Sequence, residues 1–333
     1  MRTTPFQGVK LTAPIFSRDT GSNTAVNSSG DSFPPPWPPV RTWYNGRPSS
    51  VPEKLHAMAD TASPPVPPTA VPDHLVRFGG IARLYGGLAL ERLRHAHVCI
   101  IGIGGVGSWA AEALARTGIG HITLIDMDDI CKTNINRQLH ALEHNTGQSK
   151  VTVMAARLRA INPAIQVNEV EDFITPDNPV EHLTSRFDYV FDAIDSFRVK
   201  AAIIAHCRYH KIPVITAGAA GGLIDPLCIT VADLTRTIQD PLAKKTRDFL
   251  RYRYRFPSNR KRRFAVTCVF STEMIRYPQP DGTLATTKPE KVSGMSCDSG
   301  LGTSTMVTAS FGFVAASRIV QALLKDHRCR PPQ

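Results

Sequence analysis

Residues 99–129 read CIIGIGGVGSWAAEALARTGIGHITLIDMDD, and this stretch constrains the chain more than any other. Val98–Ile101 is a short apolar run of the kind that forms a buried strand. Ser108–Thr117 has helical periodicity and is ended by Gly118 and Gly120. Ile122–Ile125 is a second apolar run that closes on Asp126. Between the first strand and the helix lie Gly102, Gly104, Gly105 and Gly107. The first glycine allows a tight turn, the middle ones let backbone approach phosphate, and the last lets helix meet strand. A phosphate then sits at the helix N-terminus, with an acid at the end of the second strand to accept from ribose hydroxyls. The stretch therefore predicts a nucleotide-binding βαβ unit. It leaves open whether the nucleotide is a nicotinamide dinucleotide used for hydride transfer or ATP used for other chemistry.

The pattern continues downstream. A helical segment over 148–161 stops at Asn162-Pro163, and strands are expected at 165–169, 189–193, 214–217 and 227–232, with a helix over 199–209. Folding is expected to begin near Val76, and residues 77–93 read as one or two opening helices broken by glycines. Strands alternating with helices predict an α/β, Rossmann-like, doubly wound fold, its sheet mostly parallel with helices on both faces. We divide the 333 residues into a Pro/Ser/Thr-rich extension (1–75), a nucleotide-binding domain (76–240), and a smaller basic portion with a C-terminal helix (241–333) belonging to the same folded unit. The extension carries about half of the chain's 26 prolines and is too poor in apolar surface to offset the entropy of ordering, so disorder is expected there. Translation starting at Met58 is the preferred reading of the extension. A targeting peptide is the rival: Arg2, Lys10, Arg18, Arg41 and Arg47 favour it, but no amphipathic helix or hydrophobic signal core is visible. Met306–Leu324 is apolar but broken by Arg318 and Gln321, and reads as a packed helix rather than a membrane span, so no stable membrane association is expected.

Seven cysteines, odd in number and never spaced Cys-x-x-Cys, argue against a disulfide framework and against a thiolate zinc site, so no zinc is expected. A reducing, cytoplasmic setting fits best. The net charge of +11 suggests a polyanionic partner, although a basic soluble protein would show it too. Lys244–Arg263 concentrates the effect: ten Lys or Arg and one acid, interleaved with Phe249, Tyr252, Tyr254 and Phe256. Such a run suits a nucleic-acid backbone with unstacked bases, and Arg260, Lys261, Arg262 and Arg263 are the candidate contacts.

The residues after the second strand separate the two nucleotides. Asn134, Arg137, Gln138 and Lys150 trail the ribose acid closely. An arginine forks onto phosphate oxygens and a lysine acts as a point charge, whereas a hydride-transfer site has no need of cations that cradle a triphosphate. Asp195, at the end of YVFDAID, is placed to hold Mg²⁺ beside phosphates.

GxGGxG, an acid at the second strand's end, N-x-x-R-Q, a downstream Lys and D-x-x-D together resemble the ubiquitin-activating-like adenylyltransferases, the ThiF/MoeB superfamily. RFGGIARLYG, NINRQLHAL, DAIDSFRVKAAII, TIQDPLAKK, CVFSTE and TMVTASFGFVA resemble its tRNA threonylcarbamoyladenosine dehydratase (TcdA/CsdL) branch, over roughly residues 76–325. The resemblance implies ATP-dependent cyclisation of N6-threonylcarbamoyladenosine beside the tRNA anticodon, through adenylation of its carboxylate. It implies that Gly102, Gly104, Gly105 and Gly107 form the phosphate loop and that Asp126 takes the ribose. It further implies that Asn134, Gln138, Arg137 and Lys150 take phosphates, the last two as electrostatic catalysts, and that Asp195 serves magnesium. Arg77 or Arg83 resembles an arginine donated across a homodimer interface; the glycine-rich spacing does not decide which. A monovalent cation near Gly218–Pro226 and a sulfur-relay partner of the CsdE type, with Cys268 and Cys297 as candidate thiols, stay open. The alternatives are an adenylyltransferase for a ubiquitin-like sulfur carrier, an NAD-dependent oxidoreductase, and a non-enzymatic tRNA- or partner-binding scaffold.

Overall fold

The structure, a computed structural model, describes residues 72–279, 281–288 and 301–325. The expectations for the rest of the Pro-rich extension, for its start at Met58 and for Cys297 lie outside the described residues. The folded chain opens three residues earlier than the sequence suggested, with helix α1 at Asp73–Tyr85. Gly86, at φ +94°, separates it from α2, Gly87–His95. This is the break that the glycines there foretold.

The central sheet has seven strands in the order β3-β2-β1-β4-β5-β7-β6. These are β1 His97–Ile101, β2 His121–Ile125, β3 Gln166–Val170, β4 Tyr189–Asp192, β5 Val214–Ala217, β6 Ile229–Asp233 and β7 Thr267–Ser271. All neighbours pair parallel except β6, which runs antiparallel to β7. β7 falls inside the segment whose basic run dominates its sequence, and Val266, Cys268, Val269 and Phe270 are buried there. Strands β1, β2, β4 and β5 are apolar runs because both faces of the sheet are covered by helices.

On one face lie α3 (Gly107–Arg116), α4 (Lys150–Ile161) and α8 (Thr305–Lys325), whose Leu114, Leu158, Phe311 and Ile319 share a core with Ile100, Leu124 and Phe191. On the other lie α6 (Phe197–Tyr209) and α7 (Pro241–Tyr254), joined through Ile203, Ile204 and Leu250 to Cys99, Val190 and Val214. A short helix α5 (Pro179–His182) precedes β4, and a small hairpin pairs β8 (Tyr277–Pro278) with β9 (Leu284–Ala285). Each fully buried Leu, Ile or Phe removes enough apolar surface to contribute about 1.5–3 kcal/mol.

Helix α8 is long and apolar enough to cross a membrane by length and composition. Its buried side chains instead belong to the core, which accounts for the run without a lipid phase. Gly312 lets it pack backbone-to-backbone on α3: a Cβ there would stand 2.6 Å from the Val106 carbonyl oxygen and 2.9 Å from Ala110 N.

Candidate active site

The sheet order reverses between β1 and β4, since β2 lies on one side of β1 and β4 on the other. In open α/β sheets, ligands bind in the crevice at the carboxyl ends of the strands at such a switch point. The glycine loop stands there. Gly102 takes φ +86°, and a Cβ on it would come within 3.1 Å of the Ala193 carbonyl, so β1 and the turn after β4 are nearly in contact. A Cβ on Gly107 would overlap the Gly102 carbonyl oxygen, so only glycine can begin α3 at that place.

Asp126 at the end of β2 accepts from Ile103 N at 2.6 Å and from Asp128 N at 2.9 Å. It thus supports the glycine loop as well as facing the site. Burial pushes its carboxyl above the ordinary value, opposed by the Lys150 charge. Lys150, at the start of α4 and only 7% exposed, places Nζ 2.7 Å from Asp128 Oδ2 and 3.9 Å from Asp126 Oδ1. A buried ammonium between two carboxylates is a fixed positive charge whose direction is already set.

The N-x-x-R-Q stretch folds back onto the loop. Asn134 is buried, its Oδ1 accepting from Cys131 N, so part of its work is to hold this turn. The stem of Arg137 packs on Gly105, 3.2 Å from where a Cβ would stand, while its guanidinium donates to Thr133 O and Asn136 Oδ1. Trp109 Nε1 donates to the Arg137 carbonyl and fixes it to α3. Gln138 Nε2 lies 3.8 Å from the corresponding position on Gly104, and its buried Oε1 has no hydrogen-bonding partner among the described residues. Thr308 Oγ1, on α8 behind Gly105, is buried and unpartnered in the same way. Thr305 Oγ1 donates to Asn136 O, and Asn136 Nδ2 donates to Thr303 O, so the start of α8 locks the stretch in place.

β4 ends at Asp192, not at Asp195, and the two acids of D-x-x-D have separate roles. Asp195 is exposed in the turn beyond Ile194 that faces Gly102. Asp192 is fully buried: Oδ1 accepts from Ile194 N, while Oδ2 accepts from Lys200 Nζ at 2.9 Å and Thr216 Oγ1 at 2.7 Å. Lys200, 1% exposed, also donates to Thr216 Oγ1. Sequence reasoning passed over Asp192, Lys200, Thr216, Trp109 and Thr308. Only Asp192 carried a signal, as the first acid of the motif.

Other candidates fall elsewhere. Arg77 pairs with Asp73, and Arg83 is exposed near the end of α1. That helix packs by Phe78 on Gly118 and by Ile81 and Leu84 near Thr117, at the far end of α3 from the loop. Since α3 is about 15 Å long, neither arginine joins the glycine loop of its own chain. Arg260–Arg263 form an exposed turn after α7. Of the interleaved aromatics, Tyr252 stands in solvent, whereas Phe249, Tyr254 and Phe256 pack against the second core, a correction to the reading of the whole run as a stacking surface. Cys268 is fully buried and its thiol pKa is raised far above the ordinary value by burial, which suits a packed side chain rather than a thiol acceptor. Among the described residues no three His, Cys, Asp or Glu cluster as metal ligands.

The ThiF family matches residues 80–332. The tRNA threonylcarbamoyladenosine dehydratase of Escherichia coli is 57% identical over 250 residues, covering 74% of this chain and 93% of the relative. The chain belongs to the tRNA threonylcarbamoyladenosine dehydratase branch of the ThiF family. The enzyme of that name from Haemophilus influenzae is 53% identical over 249 residues, covering 75% of this chain and 94% of its own. The crystal structure of the E. coli dehydratase TcdA in complex with ATP superposes with a TM-score of 0.68 at 52% identity, over 76% of this chain and 96% of that one. The α/β architecture is therefore that of the family.

Proposed function

We propose that this chain dehydrates N6-threonylcarbamoyladenosine in tRNA at the expense of ATP, by adenylating the threonyl carboxylate and closing a ring. The observation that carries the reading is the buried Lys150 beside Asp126, across from Arg137 and the glycine loop: fixed cations where a triphosphate, not a nicotinamide, would lie. Gln138 Oε1 and Thr308 Oγ1 at the same loop, without a partner among the described residues, are buried polar atoms of the kind a ligand or an ordered water satisfies.

The glycine-loop amides and the N-terminus of α3 receive phosphates, and Asp126 accepts from the ribose. Arg137 and Lys150 offset charge at the α-phosphate while the carboxylate oxygen attacks it in line. A new O–P bond forms, the bond between the α-phosphorus and the bridging oxygen breaks, and pyrophosphate leaves. The ureido nitrogen then attacks the acyl carbon, loses its proton and expels AMP. Activation is needed because a carboxylate is a poor electrophile.

Asp195 is the one exposed carboxylate of the turn facing the loop, and Mg²⁺ is commonly held by one or two carboxylates together with substrate phosphates. The donor set therefore fits Mg²⁺ only with the nucleotide present; when bound, the ion would neutralise phosphate charge. Because α1 lies away from the loop, Arg77 or Arg83 would act on a second copy's site in a homodimer.

The test is direct. The enzyme is incubated with ATP and tRNA carrying the modified base, and the nucleosides are released and weighed. A nucleoside lighter by one water, with AMP formed, is the expected result. ATP–pyrophosphate exchange that depends on a carrier protein while tRNA stays inert would overturn the reading. Asp195→Ala should fold normally and lose turnover, and wild-type rates in that variant would remove Asp195 from the mechanism.

A further inference from the structure

The TIQDPLAKK segment is not used by the nucleotide site. Gln239 there sits at φ +57°, one of four non-glycine residues with a left-handed backbone among the described residues. The strained turn opens a cleft of about 320 Å³ at the N-terminus of α7. The cleft is lined by Gln239 and Lys244 from the α7 side, and by Ile275 and by Tyr277, the first residue of β8, from the other. Arg247, whose guanidinium donates to Thr237 Oγ1 and to the carbonyls of Thr237 and Leu234, stiffens the polar wall. The cleft is thus apolar and aromatic on one side and amide-bearing and cationic on the other.

Its location matters as much as its lining. Asp240 forms part of the floor, caps α7 by accepting from Ala243 N, and with Oδ2 accepts from Ala219 N at 3.0 Å. A Cβ on Gly218 would overlap that same oxygen, so the cleft is seated directly on the end of β5. β5 is the neighbour of β4, whose turn carries Asp195, and adjacent strands lie only about 5 Å apart. At the other end of α7, about 21 Å away along 14 residues, the basic turn Arg260–Arg263 begins a few residues on.

We propose that this cleft receives the nucleoside undergoing modification, an anionic purine nucleoside turned out of its loop, with the base against Tyr277 and its acidic substituent near Lys244. The proposal rests on the function proposed above and gives it a substrate pocket. Bases splayed from single-stranded RNA stack on aromatic rings and are read by polar side chains, while basic residues elsewhere hold the backbone. A nucleoside seated here projects its carboxylate toward the β4 turn, and Arg260–Arg263 take the RNA backbone at the far end of the helix.

Binding of two tRNAs, one carrying N6-threonylcarbamoyladenosine and one with plain adenosine at that position, is measured with wild type, Lys244→Glu and Tyr277→Ala, alongside ATP affinity. Wild type is expected to prefer the modified tRNA. Lys244→Glu should reduce that preference about tenfold, as for the loss of one charge-assisted contact, with ATP affinity unchanged. Tyr277→Ala should weaken both tRNAs and leave ATP binding intact. Equal loss for the two tRNAs in Lys244→Glu, or no loss, would overturn the proposal, because Lys244 would then be an ordinary backbone contact or none. The comparison needs no turnover. If wild type fails to dehydrate the tRNA yet loses its preference in Lys244→Glu, the pocket stands and the proposed reaction falls.

Discussion

Replacing Lys200 by methionine should separate folding from site geometry. Lys200 Nζ is buried and bonded to Asp192 Oδ2 and Thr216 Oγ1, and Asp192 itself is fully buried. Methionine keeps much of the length of the side chain but leaves the Asp192 carboxylate without its counter-charge. Breaking such a pair from one side costs about 3–5 kcal/mol, because the stranded charge cannot be rehydrated. For a domain of this size, about 2–4 °C of unfolding midpoint is lost per kcal/mol, so a fall of about 10 °C is expected by thermal denaturation. Removing both charges together with the acceptor, as in Asp192→Leu with Lys200→Met, should recover most of that loss, since apolar replacement of a buried pair is often harmless to stability. Activity should not recover with it. Asp192 Oδ1 holds Ile194 N, which fixes the turn between the Gly102 contact and Asp195. Loosening that turn should lower turnover more than ATP affinity. A single variant whose midpoint stays within about 2 °C of wild type would refute the stability argument, since that is less than about 1 kcal/mol. A double variant with full turnover would refute the positioning argument.

Gly107→Ala should abolish ATP binding, measured by calorimetry, because the new methyl overlaps the Gly102 carbonyl. His140 is buried with neither ring nitrogen partnered among the described residues, and burial, helped by the Lys150 charge, lowers its pKa to about 4. The unfolded chain takes up this proton below an ordinary pKa of 6.5 while the folded one does not, so stability falls as pH drops from there toward 4. The whole loss is about 3 kcal/mol, at about 1.4 kcal/mol per pH unit, and His140→Gln should flatten the acid side of a denaturant-midpoint titration. Replacing Arg260, Lys261, Arg262 and Arg263 by glutamine should weaken tRNA binding and reduce the slope of log affinity against log salt by up to about 3, at about 0.7 for each single-strand phosphate no longer neutralised. ATP affinity should not move. Phe311→Ala, in the core between α8 and the sheet, should destabilise by about 3–5 kcal/mol in chemical unfolding.

The fold was legible where the sequence is periodic and apolar. β1, β2, β4 and β5 are continuous apolar runs, and their ends fall within a residue or so of expectation because glycines and Asn162 punctuate the helices between them. β7 was hidden by the basic run before it. Its residues Thr267–Ser271 are as apolar as the others, but the charges at 260–263 dominate a window of that length. β6 was read as a strand at 227–232, but its antiparallel direction could not be, since strand direction is set by the connection and not by the residues.

The site was legible only as far as its chemistry is written in local spacing. The glycines, Asp126 and Lys150 lie on the loop and at strand or helix ends, and their types are those that the proposed binding of a phosphate and a ribose calls for. The residues that hold those groups still come from distant parts of the chain. Thr308 reaches Gly105 from 203 positions away in sequence, and Asp192 meets Lys200 in the helix that follows β4 and Thr216 on the neighbouring strand β5. A lone lysine in a helix reads as a solvated charge, and a threonine in a strand as an ordinary β-former. Their meaning appears only once the sheet brings β4 and β5 side by side, where a lysine 1% exposed can persist only against a carboxylate. That constraint is why the first acid of D-x-x-D, not the second, is tied into the core: Asp192 fixes where the turn goes, and Asp195 is left free to meet what binds there.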